Sequence, residues 1–598
     1  MASNTTPVGD TATFTIKVNG NAIDDESKVL SIYVEKRVNR IAYAKIVILD
    51  GDADDETFKI SSSATFVPGA EIVIEAGYDS KNTNIFKGII TGQTIRIDAL
   101  VGSALEVECR DEAIKMIVGR KSLTYSKQKD SDVISTIIGN YSGLSSDVSS
   151  TPTTWPEQVQ YYVTDWDYIM TLAENNGMVV TAYDNKVSVF KPDANTSSVL
   201  TVKYGDGLME FNADLQSIYQ IDNAKADSWD YKTQAVINGE ATNSYAGAGN
   251  LSTKKLSEVV GLSEYRLQTI GSLESADLTN WSKAQLVKSE FSKIQGEAKF
   301  QGTSIPNPGQ YITLGGLGDR FNGDHIMSGI VHDISEGNWI TRVNIGLPFG
   351  WFTEEPDVVA PPASGVLPGV RGLSIGTVKK MYEDPDSQYR ILVDVPLFDS
   401  NGEGIWARLS NFYSTNGAGA FFMPEVGDEV VLGFLNEDPR YPIILGSMYS
   451  STNTKPYEGL DPNEKNSIKA IVSKSGISIE FDDENKILTV NTPNKNTVIL
   501  SDQDKQITLK DENDNSIVLS SSGITIKSPK SINIEATESV NIKGTQGVKV
   551  QASGGDVAIS GMNIKQSADV EYSAEGSATA KVSGGAQLTL KGAMVMIN

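Results

Sequence analysis

Ile524-Thr-Ile-Lys-Ser-Pro-Lys-Ser-Ile-Asn-Ile534, continued by Val540-Asn-Ile-Lys-Gly-Thr-Gln-Gly-Val-Lys-Val550, decides how this chain is read. Its apolar pairs Ile524/Ile526, Ile532/Ile534, Val540/Ile542 and Val548/Val550 recur every eight residues. After a phase slip at Gly554-Gly555, the step of eight resumes through Met562/Ile564, Val570/Tyr572 and the smaller Ala578/Ala580. Upstream the repeat is looser, nearer ten, at Val498/Leu500, Ile507/Leu509 and Ile517/Leu519, with polar turns such as Asp511-Glu-Asn-Asp-Asn515. Each repeat offers two apolar side chains, worth about 1.5–3 kcal/mol each when buried. Ordering its backbone costs about 1–2 kcal/mol per residue. One such ribbon does not fold alone, so its apolar face must meet other copies of the unit. Three chains wound about one axis as a β-prism satisfy this. So do three octads of one chain making a 24-residue rung of a single-chain β-helix. No superperiod of 24 is visible, and the apolar run Met594-Val-Met-Ile597 carries no cap. The spacing predicts a homotrimer with a β-helical needle over 468–598, its core formed by the pairs from Ile524 to Val550.

Outward from the needle, residues 453–467 read as a connector. Residues 370–452 hold short predicted strands at 376–378, 389–395, 404–409, 429–434 and 442–446, the pattern of a small closed barrel of OB type. Residues 356–369 are rich in Pro and Gly and read as a linker. Residues 1–355 mix strands, such as Ala12-Thr-Phe-Thr-Ile-Lys-Val18 and Leu105-Glu-Val-Glu-Cys109, with a few helices. Helices are predicted over 111–118, 131–141, 165–176 and 275–294. Asp165 is the expected N-cap of the third and Gly177 its stop. In the fourth, Leu278, Trp281, Ala284, Val287, Phe291 and Ile294 form one apolar stripe. The fold class expected is mainly β: an N-terminal region of strands with a few helices, a small OB-type barrel, and a triple-stranded β-helical needle.

Composition narrows the function. In 598 residues there are 76 Asp and Glu against 51 Lys and Arg, a formal charge of -25. Phosphate binding needs a positive surface, so nucleic acid is not an expected partner. Cys109 is the one cysteine, which excludes an intrachain disulfide and a thiolate zinc cage. His325 and His332 are the two histidines, a thin supply of general bases for an enzyme of this size. No apolar run approaches the ~18 residues of a membrane helix. The N-terminus lacks a basic region followed by an apolar one, so no signal peptide is expected.

The neck carries a longer signature. Ser374-Ile-Gly-Thr-Val378, Asp384-Pro385, Arg390-Ile-Leu-Val-Asp-Val-Pro396 and Trp406-Ala-Arg408 lead into Met423-Pro-Glu-Val-Gly-Asp-Glu-Val-Val-Leu-Gly-Phe-Leu-Asn-Glu-Asp-Pro-Arg-Tyr-Pro-Ile-Ile-Leu-Gly446. This resembles the OB module of VgrG proteins and phage baseplate spikes. Its family positions here are Asp384, Pro385, Arg390, Trp406, Arg408, Pro424, Gly427, Glu429, Asp438, Pro439, Pro442 and Gly446. Gln160-Tyr-Tyr-Val-Thr-Asp-Trp-Asp-Tyr168 through Gly177, and Asn307-Pro-Gly309 through His332, resemble segments of the same family's hub. The resemblance implies a homotrimeric spike of a contractile injection system: type VI secretion, an extracellular particle or a phage tail, with a hub of two barrel-like domains over 1–355 and the OB-fold barrel as its neck. It implies a hexameric, Hcp-like tail-tube protein and baseplate proteins at the hub. A PAAR-type tip protein and effector cargo are implied at the needle end, where Met594, Val595, Met596 and Ile597 would dock the tip. The target membrane is met only by puncture. The protein would be made in the bacterial cytoplasm and delivered outward or into a target cell.

Some relatives carry a lysozyme-like insert or a terminal effector. Here only 451–466 lie between barrel and needle, so catalysis, cofactor and metal are not expected. Gly372-Leu-Ser-Ile-Gly376 matches a nucleophile elbow literally, but a strand is predicted after it and both histidines lie upstream. Asp50/Asp52/Asp54 and Asp511/Asn513/Asn515 begin like calcium loops but lack the later Gly and Glu. His325 and His332 would face opposite sides of an unbroken strand. The alternative reading is a particle-borne adhesin whose β-helical end binds a receptor.

Overall fold

The computed structural model describes residues 11–24, 27–99, 102–193, 196–398 and 402–597. It divides into two units, residues 1–447 and 448–598.

In the first unit, a thirteen-stranded sheet runs through the hub. Val29–Arg37 is its middle: it pairs with Tyr43–Leu49 on one side and with Gly323–Ser335 on the other. The segments joined there are almost three hundred residues apart in sequence. Alternation decides each strand's buried side, because successive side chains face opposite ways. Ile32 and Val34 point into one core with Ile46, Ile72, Ile74 and Cys109. Cys109 is fully buried, and desolvation pushes its thiol far above the ordinary range. A second core, with Phe300, Met327 and Val343, lies on the other half of the same ladder.

Four helices accompany the sheet: α1 (Asp130–Gly139), α2 (Asp165–Asn175), α3 (Thr253–Val260) and α4 (Ser275–Phe291). The predicted helix at 111–118 is a 3-10 turn, Glu112–Ile117, held by Asp111 accepting from Ala113 N at 2.9 Å. The cap of α2 is Thr164, not Asp165: its Oγ1 accepts from Asp167 N at 3.1 Å. Gly177 does follow α2, at φ +66°, and a Cβ there would sit 3.0 Å from Ala284 Cα of α4. The expected α4 stripe is too narrow. Helix α4 ends at Phe291, and Ile294 opens the next strand, Ile294–Gln301. Ser282, Gln285, Ser289 and Glu290 are buried beside the apolar positions, because α4 is enclosed on two sides. Gly239, in the strand Ala235–Thr242, approaches the Thr279 backbone from one side, and α2 packs on the other. Helix α3 has no counterpart in the sequence reading.

Five strands close the neck barrel: Ser374–Lys380, Ile391–Asp394, Ile405–Leu409, Glu429–Phe434 and Pro442–Ser447. Closure is made by parallel pairing of Ile405–Leu409 with Pro442–Ser447. Val378, Ile391, Val393, Ala407, Val430, Leu432 and Ile444 fill it. Between hub and barrel, Pro362–Gly365 forms a tight turn with Ala363 and Ser364 at positive φ, and Asn436 Nδ2 donates to Ser364 Oγ at 3.0 Å.

The second unit is simpler. Seven five-residue strands, from Ile468–Val472 to Gly523–Lys527, form one antiparallel meander in which each strand pairs only with its sequence neighbours. The ten-residue spacing read from Val498 onward is the repeat of this meander. The reason lies in the turns. Asp482 Oδ1 accepts from Asn485 N at 3.0 Å, and Asp511 Oδ1 accepts from Asn513 N at 2.9 Å and Asn515 N at 2.8 Å. Lys486, Lys495, Lys505 and Asp514 take positive φ. These tight turns return the chain on itself at each strand end. From Ser528 to Ile597 the chain forms no ladder with itself among the described residues.

Candidate assembly surface

The meander carries two cross-strand rows. Residues directly opposite in an antiparallel pair share a face. Ile471 faces Ile479, which faces Val490, and the row continues through Val498, Leu509, Ile517 and Ile526. Beside it Phe481, Leu488, Leu500, Ile507, Leu519 and Ile524 form a second row. One sheet face is therefore an unbroken apolar stripe two residues wide, and nothing in the unit covers it. Ile479 is 38% exposed, Phe481 43% and Ile524 71%. An antiparallel sheet tolerates one solvated face when that face is polar. Here the solvated face is the apolar one, which marks an interaction surface.

The stripe leads into the octads. Ile532, Ile534, Val540, Ile542, Val548 and Val550 are all exposed, as are Met594, Val595, Met596 and Ile597. Of the expected needle core, Ile524 and Ile526 stand in the ladder, and the other six lie in the segment without one. The sequence reading missed the first half of the stripe, Ile471 to Val490. Its signal is the same alternation, interrupted by the turn acids Asp482-Asp483.

The neck residues have a different job. Asp384 accepts from Arg390 N at 3.1 Å, Arg390 Nε at 3.0 Å and Arg390 Nη2 at 2.6 Å. These bonds, led by the Arg390 side chain, hold the Asp384 carboxyl far below the usual range. Tyr389 takes φ +56° to form this clasp, which is why the predicted strand 389–395 is trimmed to Ile391–Asp394. The Arg390 guanidinium lies 6.0 Å from the Trp406 ring centre. A second clasp ties Asp438 to Arg440 N at 2.9 Å and Nη2 at 2.7 Å, next to Pro439 and the buried Pro442. Gly427 sits at φ +96° in the turn before Glu429, after the buried Pro424. Arg408 is exposed, and Gly446 stands opposite Val431 in the ladder. These side chains fix barrel turns rather than line a site. Ser374 opens a barrel strand opposite Leu432, with no helix behind it.

The hub's titratable groups are likewise built in. Lys36 is 3% exposed, 3.2 Å from Asn307 Oδ1 and 3.5 Å from Asp184 Oδ2. Burial pushes its pKa down, against the pull of Asp184. His332 Nδ1 accepts from Trp339 Nε1 at 3.3 Å and lies 3.0 Å from Thr341 Oγ1. Burial, with nearby Lys36, pushes its pKa down to about 3. His325 Nε2 lies 2.8 Å from Phe321 O. Both histidines are buried, because the strand's register shifts between Met327 and Gly329 and breaks the alternation that would set them on opposite faces. Asp165 is buried as well. Desolvation alone would raise its carboxyl, but bonds from Gln160, Lys121 and Tyr141 hold it low. Asp50 receives the backbone amides of Gly51, Ile60 and Ser61 and organises its loop. Among the described residues, no three His, Cys, Asp or Glu side chains gather as a metal site, and no helix is long and apolar enough to cross a membrane.

Three family models match the chain. The Alg8 N-terminal domain covers residues 8–336, more than half of it. The type VI secretion system/phage-baseplate injector OB domain covers 374–449, the barrel. The phage baseplate V C-terminal trimerisation domain covers 486–562, which takes in most of the bare stripe. The chain belongs to the VgrG and phage-baseplate hub-and-spike family, with an N-terminal half of the Alg8 type. Among hub-and-spike relatives it is similar to the type VI secretion system spike protein VgrG1a of Pseudomonas aeruginosa, 29% identical over 128 residues, 21% of this chain and 19% of that protein. It is also similar to the spike protein VgrG3 of Vibrio cholerae, 34% identical over 97 residues, 15% of this chain and 10% of that one. The matched stretches span less than a fifth of either relative. Among solved structures it is similar to the 43 kDa tail protein of prophage MuSo2 from Shewanella oneidensis, at 10% identity and a TM-score of 0.43, over 56% of this chain and 99% of that one.

Proposed function

We propose that three copies of this chain form the structural spike of a contractile injection system, of the type VI, extracellular-particle or phage-tail kind. The observation that carries the reading is the uncovered apolar stripe in a segment matched by a trimerisation domain. Three stripes closing on one axis bury what one chain leaves in water. Beyond the meander, the octad pairs Ile532/Ile534, Val540/Ile542 and Val548/Val550 extend the same core as a needle. The relatives VgrG1a and VgrG3, spike proteins of type VI secretion systems, agree with this role.

In this reading the hub sits on a hexameric, Hcp-like tube protein within the baseplate, and the barrel forms the neck. A PAAR-type tip protein docks on Met594, Val595, Met596 and Ile597, and effector cargo travels with it. The work is mechanical: sheath contraction drives the needle through the target envelope. The chain is made in the bacterial cytoplasm and delivered outward with the machine. Gold-labelled antibody against the hub tests the assignment. Label at one end of isolated contractile particles is expected; label along the sheath, or none on the particles, contradicts it.

A further inference from the structure

Lys36 belongs to the middle strand of the hub, and alternation sets it on the same side as the buried Ile32 and Val34. It is as buried as they are, although it carries an amine. A buried ammonium is costly unless a counter-ion meets it closely. Lys288 and Lys293, also largely buried, pair with Glu174 and Glu290. Lys36 meets a carboxamide instead. Its Nζ lies 3.2 Å from Asn307 Oδ1, whereas Asp184 Oδ2 stands at 3.5 Å and that side chain is partly open to solvent. The Tyr183 ring centre is 4.9 Å from Nζ. Burial lowers the lysine pKa, opposed by Asp184 and Asp111, which favours the neutral, nucleophilic amine.

Asn307 is fixed in front of it. Its backbone N donates to Gln310 Oε1 at 3.0 Å, and its backbone O accepts from Gln310 N at 3.3 Å. Among the described residues, its Nδ2 makes no hydrogen bond. The next residue is Pro308, whose nitrogen carries no hydrogen. The common side reaction of asparagine, attack on its carboxamide by the following backbone N–H, is therefore closed. The carboxamide carbon lies one bond behind the oxygen that Lys36 already touches. Asp184 can move protons between them: its Oδ2 faces Nζ, and its Oδ1 is buried without a hydrogen-bond partner. An amine, a carboxamide and a carboxyl group thus converge from three separate segments of the hub.

We propose that Lys36 and Asn307 join in an isopeptide bond that the folded hub makes by itself, with Asp184 as the proton carrier. Asp184 takes a proton from the Lys36 ammonium. The freed lone pair attacks Asn307 Cγ, and a Cγ–Nζ bond forms. A proton passes to Nδ2 and the Cγ–Nδ2 bond breaks. The nitrogen leaves as ammonium, carrying the two protons that Lys36 has lost, and Asp184 returns to its starting state. No oxidant, reductant or water is consumed. The product amide is neutral, so the bond removes the buried charge. It also ties together two residues 271 positions apart, which restricts the unfolded chain as any long-loop cross-link does.

Intact-mass spectrometry of the purified full-length protein tests the bond. The folded protein is expected to weigh less than its sequence by the mass of one ammonia. Tryptic digestion should release a branched peptide that joins the segment of Lys36 to that of Asn307. Asp184→Asn keeps the shape of that side chain and removes its proton transfer. Linkage in this variant should be about a hundredfold slower, with the circular dichroism unchanged. Lys36→Met should keep the full sequence mass. Full sequence mass in both fresh and aged wild-type protein overturns the proposal, whatever the variants do. So does an ammonia loss that maps to a linear peptide, as a succinimide at Asn416-Gly417 would give. Linkage at the wild-type rate in Asp184→Asn overturns it as well.

Discussion

The hub and the meander are built from the same alternating strands, and only one of them covers its own apolar side. In the hub, Val29–Arg37 turns Ile32 and Val34 into a core where neither is more than 1% exposed. In the meander, Ser478–Asp482 alternates as cleanly, yet Ile479 and Phe481 stand open. The difference is the second layer. Hub strands reach eighteen residues, as in Lys81–Asp98, and the sheet brings side chains from distant segments over each core. Meander strands are five residues long, pair only locally, and have no more than the 3-10 turn Glu458–Leu460 against Ile468–Val472. Alternation in a sequence tells which side of a strand is apolar. It does not tell which chain supplies the cover.

Several substitutions break or sharpen that contrast. The largest effect is expected from Leu509→Asp with Ile517→Asp, which face each other across two strands. Two charges in the first row should abolish the trimer, read by sedimentation, while the hub melts as before; a trimer that survives ends the stripe argument. Ile74→Ala works on the other side of the comparison. Ile74 is fully buried in the hub, and its truncation should cost about 2–5 kcal/mol in urea unfolding of that region. The trimer should remain intact.

A smaller effect is expected from His332→Gln. The folded pKa of His332, about 3, lies below the unfolded value near 6.5. Above pH 6.5 both states are neutral and the stability is fully present. As pH falls from there towards 3, the unfolded chain takes up a proton that the buried ring cannot, and stability drops by about 1.4 kcal/mol per pH unit. The variant should lose that part of the slope, measured as the difference between wild-type and variant urea midpoints at pH 7 and pH 5. An identical slope shows that the ring does not stay neutral. The smallest effect on the fold is expected from Met596→Asp. The trimer mass should not change, while recovery of a tip protein in a pull-down should fail; normal recovery removes these residues from the docking reading.

Much of the barrel was legible, because its five strands are short, apolar at every second position and bounded by Gly, Pro and Asp turns. Tyr389 and Arg390 were misplaced, since the Asp384 clasp pulls them out of the strand, and Val395 and Gly404 lie just beyond the strand ends. The octad period and the looser upstream period were both legible, but the pairing of the upstream strands as a meander within one chain was not. Its Asx turns, which close the hairpins, decide that pairing. The single stripe expected on α4 failed for a tertiary reason: a helix enclosed on two sides buries polar Gln285 and Glu290 as readily as Leu278. Cap choice at α2 turned on one residue, because Asp165 is drawn away to Lys121 and Tyr141. The stripe was half legible. Val498 to Ile526 repeat visibly, whereas Ile471 to Val490 join it only through strand register.

The central claim is that the apolar face of the second unit is covered by two other copies of the chain. Light scattering on the purified full-length protein tests it most directly. A mass near three times 64.4 kDa is expected, and the same species should resist SDS without heating, because separating three wound chains presents a high barrier. A monomer mass with the stripe still folded would contradict the account.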